Sequence, residues 1–287
     1  MVARLRRDEQ VCPAMGRERD GLGLGLGLGL GRNWGAARTG MVDVRYTACA
    51  VLPQNHDVPR ALRSGQRVRD AVFDLVYPED VRRVSARFWT PVEVASTAGR
   101  WLSALGARSV LDVGSGAGKF CIVANLTSGC TVTGVEQRAH LIDTAQNAAA
   151  AYGARAAYRH ATIESVDPGP FDAFYLFNPF GENLYHPAQQ LDAEPELSAL
   201  RYMNDLSIME HWLDCAPLHT CFVTYHGFGG RIPGSYAMLR SQAKGCDHLR
   251  LWRKMQPGRA SDFRLEVEAA RAQAKLAERR TRDTQGR

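Results

Sequence analysis

Val110-Leu111-Asp112-Val113-Gly114-Ser115-Gly116-Ala117-Gly118-Lys119-Phe120 is an apolar run that breaks into a glycine-rich turn and resumes as a second apolar segment. A strand buried on both faces reads as a nearly continuous apolar run. Glycines let the backbone turn sharply and a ligand come close to it, and the helix that follows offers free N–H groups in its first turn. The spacing then separates ligand classes. A dinucleotide fingerprint, G-x-G-x-x-G, needs its third glycine at position 119, where this chain has Lys119. Ser115 and Lys119 do not spell the phosphate-binding G-x-x-x-x-G-K-[ST] either. What stands here is D-x-G-x-G-x-G, running from Asp112 to Gly118.

Outward from this turn, strands and helices alternate. Upstream, Thr90 is a candidate N-cap, Pro91 suits a first helical position and Glu93 completes a capping box; Trp89 and Val94 have staple spacing. That helix should run to about Leu105 and stop at Gly106. Downstream, strands are expected at 109–113, 131–135, 156–160, 171–177, 219–225 and 249–254, and helices at 119–126, 141–152 and 195–215. The rhythm predicts an α/β fold: a doubly wound, mostly parallel Rossmann-like sheet with helices on both faces.

Composition is that of a globular chain: 287 residues, 45% of them hydrophobic and 23% charged, enough to bury a core without a disulfide or metal staple. The net charge of +6 invites a nucleic-acid reading, but its location argues otherwise. Residues 1–40 carry an excess of three positive charges, residues 259–287 another three, and residues 41–258 balance to zero. The expected organisation is a low-complexity extension at 1–40, a helical lead-in at 41–85, the catalytic domain at 86–258 and a charged tail at 259–287. The Gly-Leu tract from Gly21 to Gly31 is too weakly apolar, and its basic start too long and acid-containing, for a secretory signal, and Met41 is a possible alternative start. Seven scattered cysteines without C-x-x-C, and eight histidines without paired ligand spacing, argue against disulfides and a structural metal and suit a cytoplasmic location. No run of about 18 apolar residues occurs, so no membrane span is expected.

On the Asp112–Gly118 loop, and on Thr133-Gly134-Val135-Glu136 with its acid at a strand end, residues 109–178 resemble the core of class I S-adenosylmethionine-dependent methyltransferases. The resemblance implies that Gly114, Ser115, Gly116 and Gly118 pass the methionine part of the cofactor. It also implies that Asp112 helps hold the amino group and that Glu136 takes both ribose hydroxyls. A carboxylate suits two vicinal hydroxyls because it offers two acceptor oxygens and no competing donor. The family commonly has an Asp just past the third strand, near the adenine; here His160-Ala161-Thr162-Ile163 stands instead. Thr162 is then the candidate for the adenine edge and Ile163 for its face. Phe88-Trp89-Thr90-Pro91 resembles the aromatic-x-Thr-Pro element of adenine-amino DNA methyltransferases, which adds Thr90 to the cofactor set.

The fourth strand ends in Asn178-Pro179-Phe180, similar to the Asn-Pro-Pro-aromatic motif of methyltransferases acting on amino nitrogens, with one proline missing. By that resemblance Asn178 and the Pro179 carbonyl accept from the target amine and Phe180 stacks on its plane, so that catalysis is positioning. A strand-terminating turn is the plain alternative, since Asn and Pro favour turns. His226, in Thr224–Arg231, is either a general base or a structural loop histidine. A looser likeness, through the same loop and the Gly-Val-Glu, is to non-SET histone-lysine methyltransferases.

The leading expectation is methyl transfer to an amino nitrogen. The alternatives are a small-molecule O-methyltransferase relying on His226, a NAD-type oxidoreductase, against which Lys119 argues, and a cofactor binder without catalysis. A small-molecule or protein amine is favoured over nucleic acid because the neutral middle supplies no basic stripe for counterion release. Neither a membrane nor a metal is expected as a partner.

Overall fold

The structure, a computed structural model, describes residues 57–257; the expectations for 1–40, for the start of the lead-in and for 259–287 lie outside them. Four short helices open the described chain: α1 (Asp57–Arg63), α2 (Asp70–Phe73), α3 (Glu79–Arg83) and α4 (Ser85–Phe88). They bury Val58, Leu62, Phe73, Tyr77 and Val81 in the same apolar cluster as the helices that follow. Next come α5 (Val92–Ala104), β1 (Ser109–Val113), α6 (Lys119–Ser128), β2 (Thr131–Glu136), α7 (Ala139–Tyr152), β3 (Ala156–His160) and β4 (Ala173–Phe177). The chain closes with α8 (Ala199–Cys215), β5 (Cys221–Tyr225), β6 (Tyr236–Lys244) and β7 (Asp247–Lys254).

The seven strands form one sheet in the order β3-β2-β1-β4-β5-β7-β6. β1 through β5 pair in parallel, while β7 runs antiparallel to both β5 and β6. The chain winds outward from β1 to β3, then crosses back to β4 on the other side of β1. This reversal opens a crevice at the carboxyl ends of β1 and β4, where open α/β sheets bind ligands. Two cores flank the sheet. One contains Val110, Phe120, Val132 and Tyr175; the other contains Leu111, Phe174, Leu176, Met209 and Phe222. Adjacent residues of one strand fall in opposite cores, as the period-two alternation of side chains demands.

The helix expected after Thr90 is present, but Thr90 does not cap it. The helix begins at Val92 with Pro91 as N-cap, and the Thr90 hydroxyl instead accepts a hydrogen bond from Tyr175 at 3.1 Å. The free Val92 N–H donates to Asp70 Oδ1 at 2.9 Å, so the cap comes from the lead-in. The expected strand at 219–225 starts at Cys221, because His219 has a left-handed φ of 72°. The helix expected from 195 starts at Ala199, where the Ser198 hydroxyl accepts from Arg201 N. Its far end is fixed by the fully buried Lys254, whose ammonium donates to the carbonyls of Leu213 and Asp214 at 3.0 and 2.7 Å. β6 was not anticipated. It is an edge strand exposed along nearly its whole length, so no alternation of apolar and polar residues marks it. Among the described residues, no helix is long and apolar enough to cross a membrane.

Candidate active site

The crevice at β1 and β4 is walled by the glycine turn, the end of β2, the segment after β3, the Asn178–Tyr185 loop and the start of α8. Gly114, Gly116, Glu136, Thr162, Ile163, Asn178, Pro179 and Phe180 all line it. Thr90, Asp112, Ser115, Gly118 and His226 stand behind these walls rather than among the lining residues.

The turn is shaped by close contacts. Gly116 has φ +52°, and a Cβ built on it would meet Trp89 Cζ3 at 2.3 Å and Cε3 at 2.6 Å. Gly118, at φ +76°, would meet the Tyr158 hydroxyl at 2.5 Å. Left-handed backbone and absent space thus both require glycine at these positions. Gly114 and Ser115 donate their N–H groups to the Val135 carbonyl at 3.0 and 2.9 Å, tying the turn to β2.

Glu136 ends β2 facing this turn. Its Oε2 accepts from Gly116 N at 3.0 Å, and its Oε1 accepts from Gln137 N at 2.9 Å and Arg138 N at 3.0 Å. Burial pushes its carboxyl up; the backbone N–H of Arg138, the Arg138 guanidinium and the two other N–H groups pull it back. Three of the roughly four lone-pair positions of the carboxylate are engaged, and the side chain still lines the crevice.

Asp112 is fully buried one layer below. It accepts from the Cys121 thiol at 3.2 Å, and burial raises its carboxyl from 3.8 to about 7. Its side chain therefore supports the turn from beneath. Ser115 is likewise buried, packed against Gly134.

Sequence reasoning missed three side chains that build the site. Trp89 lines the crevice as a wedge against Gly116, its indole N–H held by the Val81 carbonyl at 3.0 Å. Lys119 is 2% exposed and pairs with Asp70 at 2.6 Å and Asp74 at 2.7 Å, which pins the lead-in to the first turn of α6. Arg138, 3% exposed, pairs with Glu182 at 2.9 Å and Asp192 at 3.0 Å, which holds the loop after Asn178 across the end of β2. Only the aromatic-x-Thr-Pro element marked Trp89; the acids named here for Lys119 and Arg138 lie 44 or more residues away in sequence, with no periodic signal.

Asn178 closes β4 in a left-handed conformation, φ 41°, with its N–H on the Gly227 carbonyl at 3.0 Å and its carbonyl accepting from Gly181 N at 3.2 Å. A Cβ at Gly181 would fall 2.3 Å from Asn178 Nδ2, so that glycine keeps room for the carboxamide. His226 is turned away from the crevice. Its Nδ1 lies 3.1 Å from Asp247, its ring packs on Phe177 and Tyr225, and burial holds its pKa below the ordinary value despite Asp247. Of the two expectations for His226, these contacts fit the structural loop histidine, packed against Phe177.

No metal site was expected. Among the described residues, the ligand atoms of His140, Asp192 and Glu194 come within 4.8 Å of one another. His140 already pairs with both carboxylates, and Asp192 also holds Arg138. An ion-pair cluster accounts for these contacts.

Residues 110–193 match the family model described as a methyltransferase domain. No curated protein matches the chain. Among solved structures, an O-methyltransferase candidate from Klebsiella pneumoniae is 13% identical, covering 69% of this chain and 96% of its own, with a TM-score of 0.45. An RNA methyltransferase from Salinibacter ruber, in complex with S-adenosyl-L-homocysteine, is 17% identical over 64% of this chain and 96% of its own, TM-score 0.38. The plantazolicin methyltransferase BpumL, in complex with the same product, is 16% identical over 58% of each chain, TM-score 0.36. The family match falls on β1, the glycine turn, Glu136 and the Asn178 loop, the elements that wall the crevice. Residues 110–193 thus match a methyltransferase domain, and they lie on a sheet of Rossmann-like, mostly parallel order.

Proposed function

We propose that the enzyme methylates an amino nitrogen. The observation that carries this reading is Asn178 itself, which lines the crevice at the end of β4 in a turn held by Gly227 and Gly181. Asn tolerates this left-handed turn better than most residues, and at the carboxyl edge of β4 it stands where open α/β sheets bind ligands.

The crevice suits the cofactor by the chemistry of its lining. A carboxylate that is no donor itself, and that keeps an open acceptor position beyond its three backbone N–H partners, stands at the end of β2. Two glycines present bare backbone, and Ile163 and Phe180 offer apolar faces. When bound, S-adenosylmethionine supplies an electrophilic methyl group on a sulfonium. Glu136 accepts from ribose hydroxyls, and the backbone of Gly114 and Gly116 lines the crevice where the methionine part would lie. Thr162 and Ile163 serve the adenine end, and Asp112, with Ser115 and Gly118, holds the turn in shape. Asn178 and the Pro179 carbonyl accept from the acceptor's N–H groups and aim its lone pair, with Phe180 packed alongside. His226 keeps Phe177 in place, which weakens the alternative of an O-methyltransferase needing a base at that position. The acceptor is a small-molecule or protein amine.

The test is methyl transfer from a labelled donor to fractionated lysate amines and hydroxyl compounds. Asn178→Ala should lose at least about tenfold in turnover while binding S-adenosylhomocysteine as the wild type does. Turnover equal to wild type, or labelling confined to hydroxyl acceptors, would overturn the nitrogen assignment.

A further inference from the structure

The segment after β3, Ala161-Thr162-Ile163, lines the crevice without contributing a carboxylate. Another element supplies one there. Asp205, on the second turn of α8, also lines the crevice and is only 6% exposed. Its neighbour Asn204 hydrogen-bonds Glu164, in the short turn Ile163–Ser165, which sets this part of α8 beside Ile163. Leu206 and Ile163 share one apolar cluster.

The carboxylate of Asp205 is poorly matched within the protein. Its charged partner, Arg201 Nε, is 3.7 Å away, beyond a hydrogen bond. The Arg201 guanidinium is committed elsewhere, to Gln137 Oε1 at 2.5 Å and the Glu196 carbonyl at 3.2 Å. Glu164 adds like charge, and burial is the main reason that the Asp205 carboxyl is raised to about 6. A buried acceptor of this kind gains most from a ligand N–H. Its place fixes which one. Asp205 stands beside Ile163, and Arg201 links it to Gln137 at the end of β2, next to Glu136, the ribose-side carboxylate. Asn178, the acceptor-side residue, follows β4 on the other side of β1, and its loop meets α8 at the start of the helix, where Ser198 N donates to Asn183 Oδ1, short of Asp205.

We propose that Asp205, supplied by α8, accepts a hydrogen bond from the exocyclic amino group of the cofactor's adenine. The assignment rests on the cofactor orientation given above, with ribose at Glu136. It makes α8 a specificity element, selecting a 6-amino purine over a 6-oxo purine, because a 6-carbonyl would place oxygen against oxygen.

The probes are S-adenosylhomocysteine and S-inosylhomocysteine, in which a carbonyl replaces the adenine amino group. Binding of each to the full chain is measured by calorimetry for wild type, Asp205→Asn and Asp205→Ala, with thermal melting as the check on folding. The wild type should favour the adenosyl compound by about 10- to 100-fold. In Asp205→Asn the ratio should fall to within about threefold, since a carboxamide donates to a carbonyl as readily as it accepts from an amine. A wild type that binds both equally, or a ratio unchanged in both variants, overturns the role of Asp205 while leaving the cofactor reading intact. A folded wild type that binds neither compound overturns the cofactor reading, and this proposal with it.

Discussion

Replacing Gly116 by alanine tests the architecture of the turn directly. Two costs are legible in the structure. The backbone at φ +52° lies in the left-handed region, which costs an L-residue about 1–2 kcal/mol. The new methyl would also sit 2.3 Å from Trp89 Cζ3, and Trp89 cannot simply swing aside, because it is buried and its indole is held by Val81. Forcing a methyl into such packing costs about 1–3 kcal/mol. Gly116→Ala should therefore lose about 2–5 kcal/mol in urea unfolding, read as a shift of midpoint at constant slope. The two costs can be separated. In a Trp89→Leu background the ring is gone, and the same substitution should lose only the backbone component, about 1–2 kcal/mol. Crevice binding should follow the same order, because Trp89 and Gly116 line it together. A loss under about 0.5 kcal/mol, or an identical loss in both backgrounds, would refute the wedge.

Lys119→Met should destabilise the protein by about 3–5 kcal/mol, since it leaves the buried Asp74 beside Asp70 without its cation; Lys119→Met with Asp74→Asn should recover part of that in the same denaturation assay, and no recovery would count against the pairing. Asp112→Asn should alter the pH dependence of stability. The folded carboxyl keeps its proton up to about pH 7 while the unfolded one loses it near 3.8, so the wild type loses stability as pH rises through that window and levels off above it. The variant lacks that component, and melting temperatures from pH 4 to 8 should show a shallower decline; parallel curves would place the buried proton elsewhere.

The parallel half of the fold was legible because each signal was local. Continuous apolar runs gave β1 and β4, and glycines punctuated the helices. What stayed hidden was held by distant partners. Asp70 caps α5 across 22 residues, which no local capping rule reveals. β6 lacks an alternating pattern because water bathes both its faces. In the crevice, Glu136 and Asn178 were marked by their places at strand ends, whereas Asp205 sits inside α8 with no motif around it and joins the lining only because α8 meets the turn at Ile163. His226 read by residue type as either a base or a structural histidine, and only its pairing with Asp247 favours the second.

The buried Lys119 bears on how this protein can vary over time. Its partners Asp70 and Asp74 lie well before the segment that matches the family model, yet its own position opens the helix after the glycine turn. Neither half of this three-residue lock can change alone without burying an uncompensated charge. Domain shuffling that exchanged the front helices while keeping the core would have to carry all three residues across together. The front helices and the core therefore fold as one piece, so the cooperative unit is longer than the matched segment.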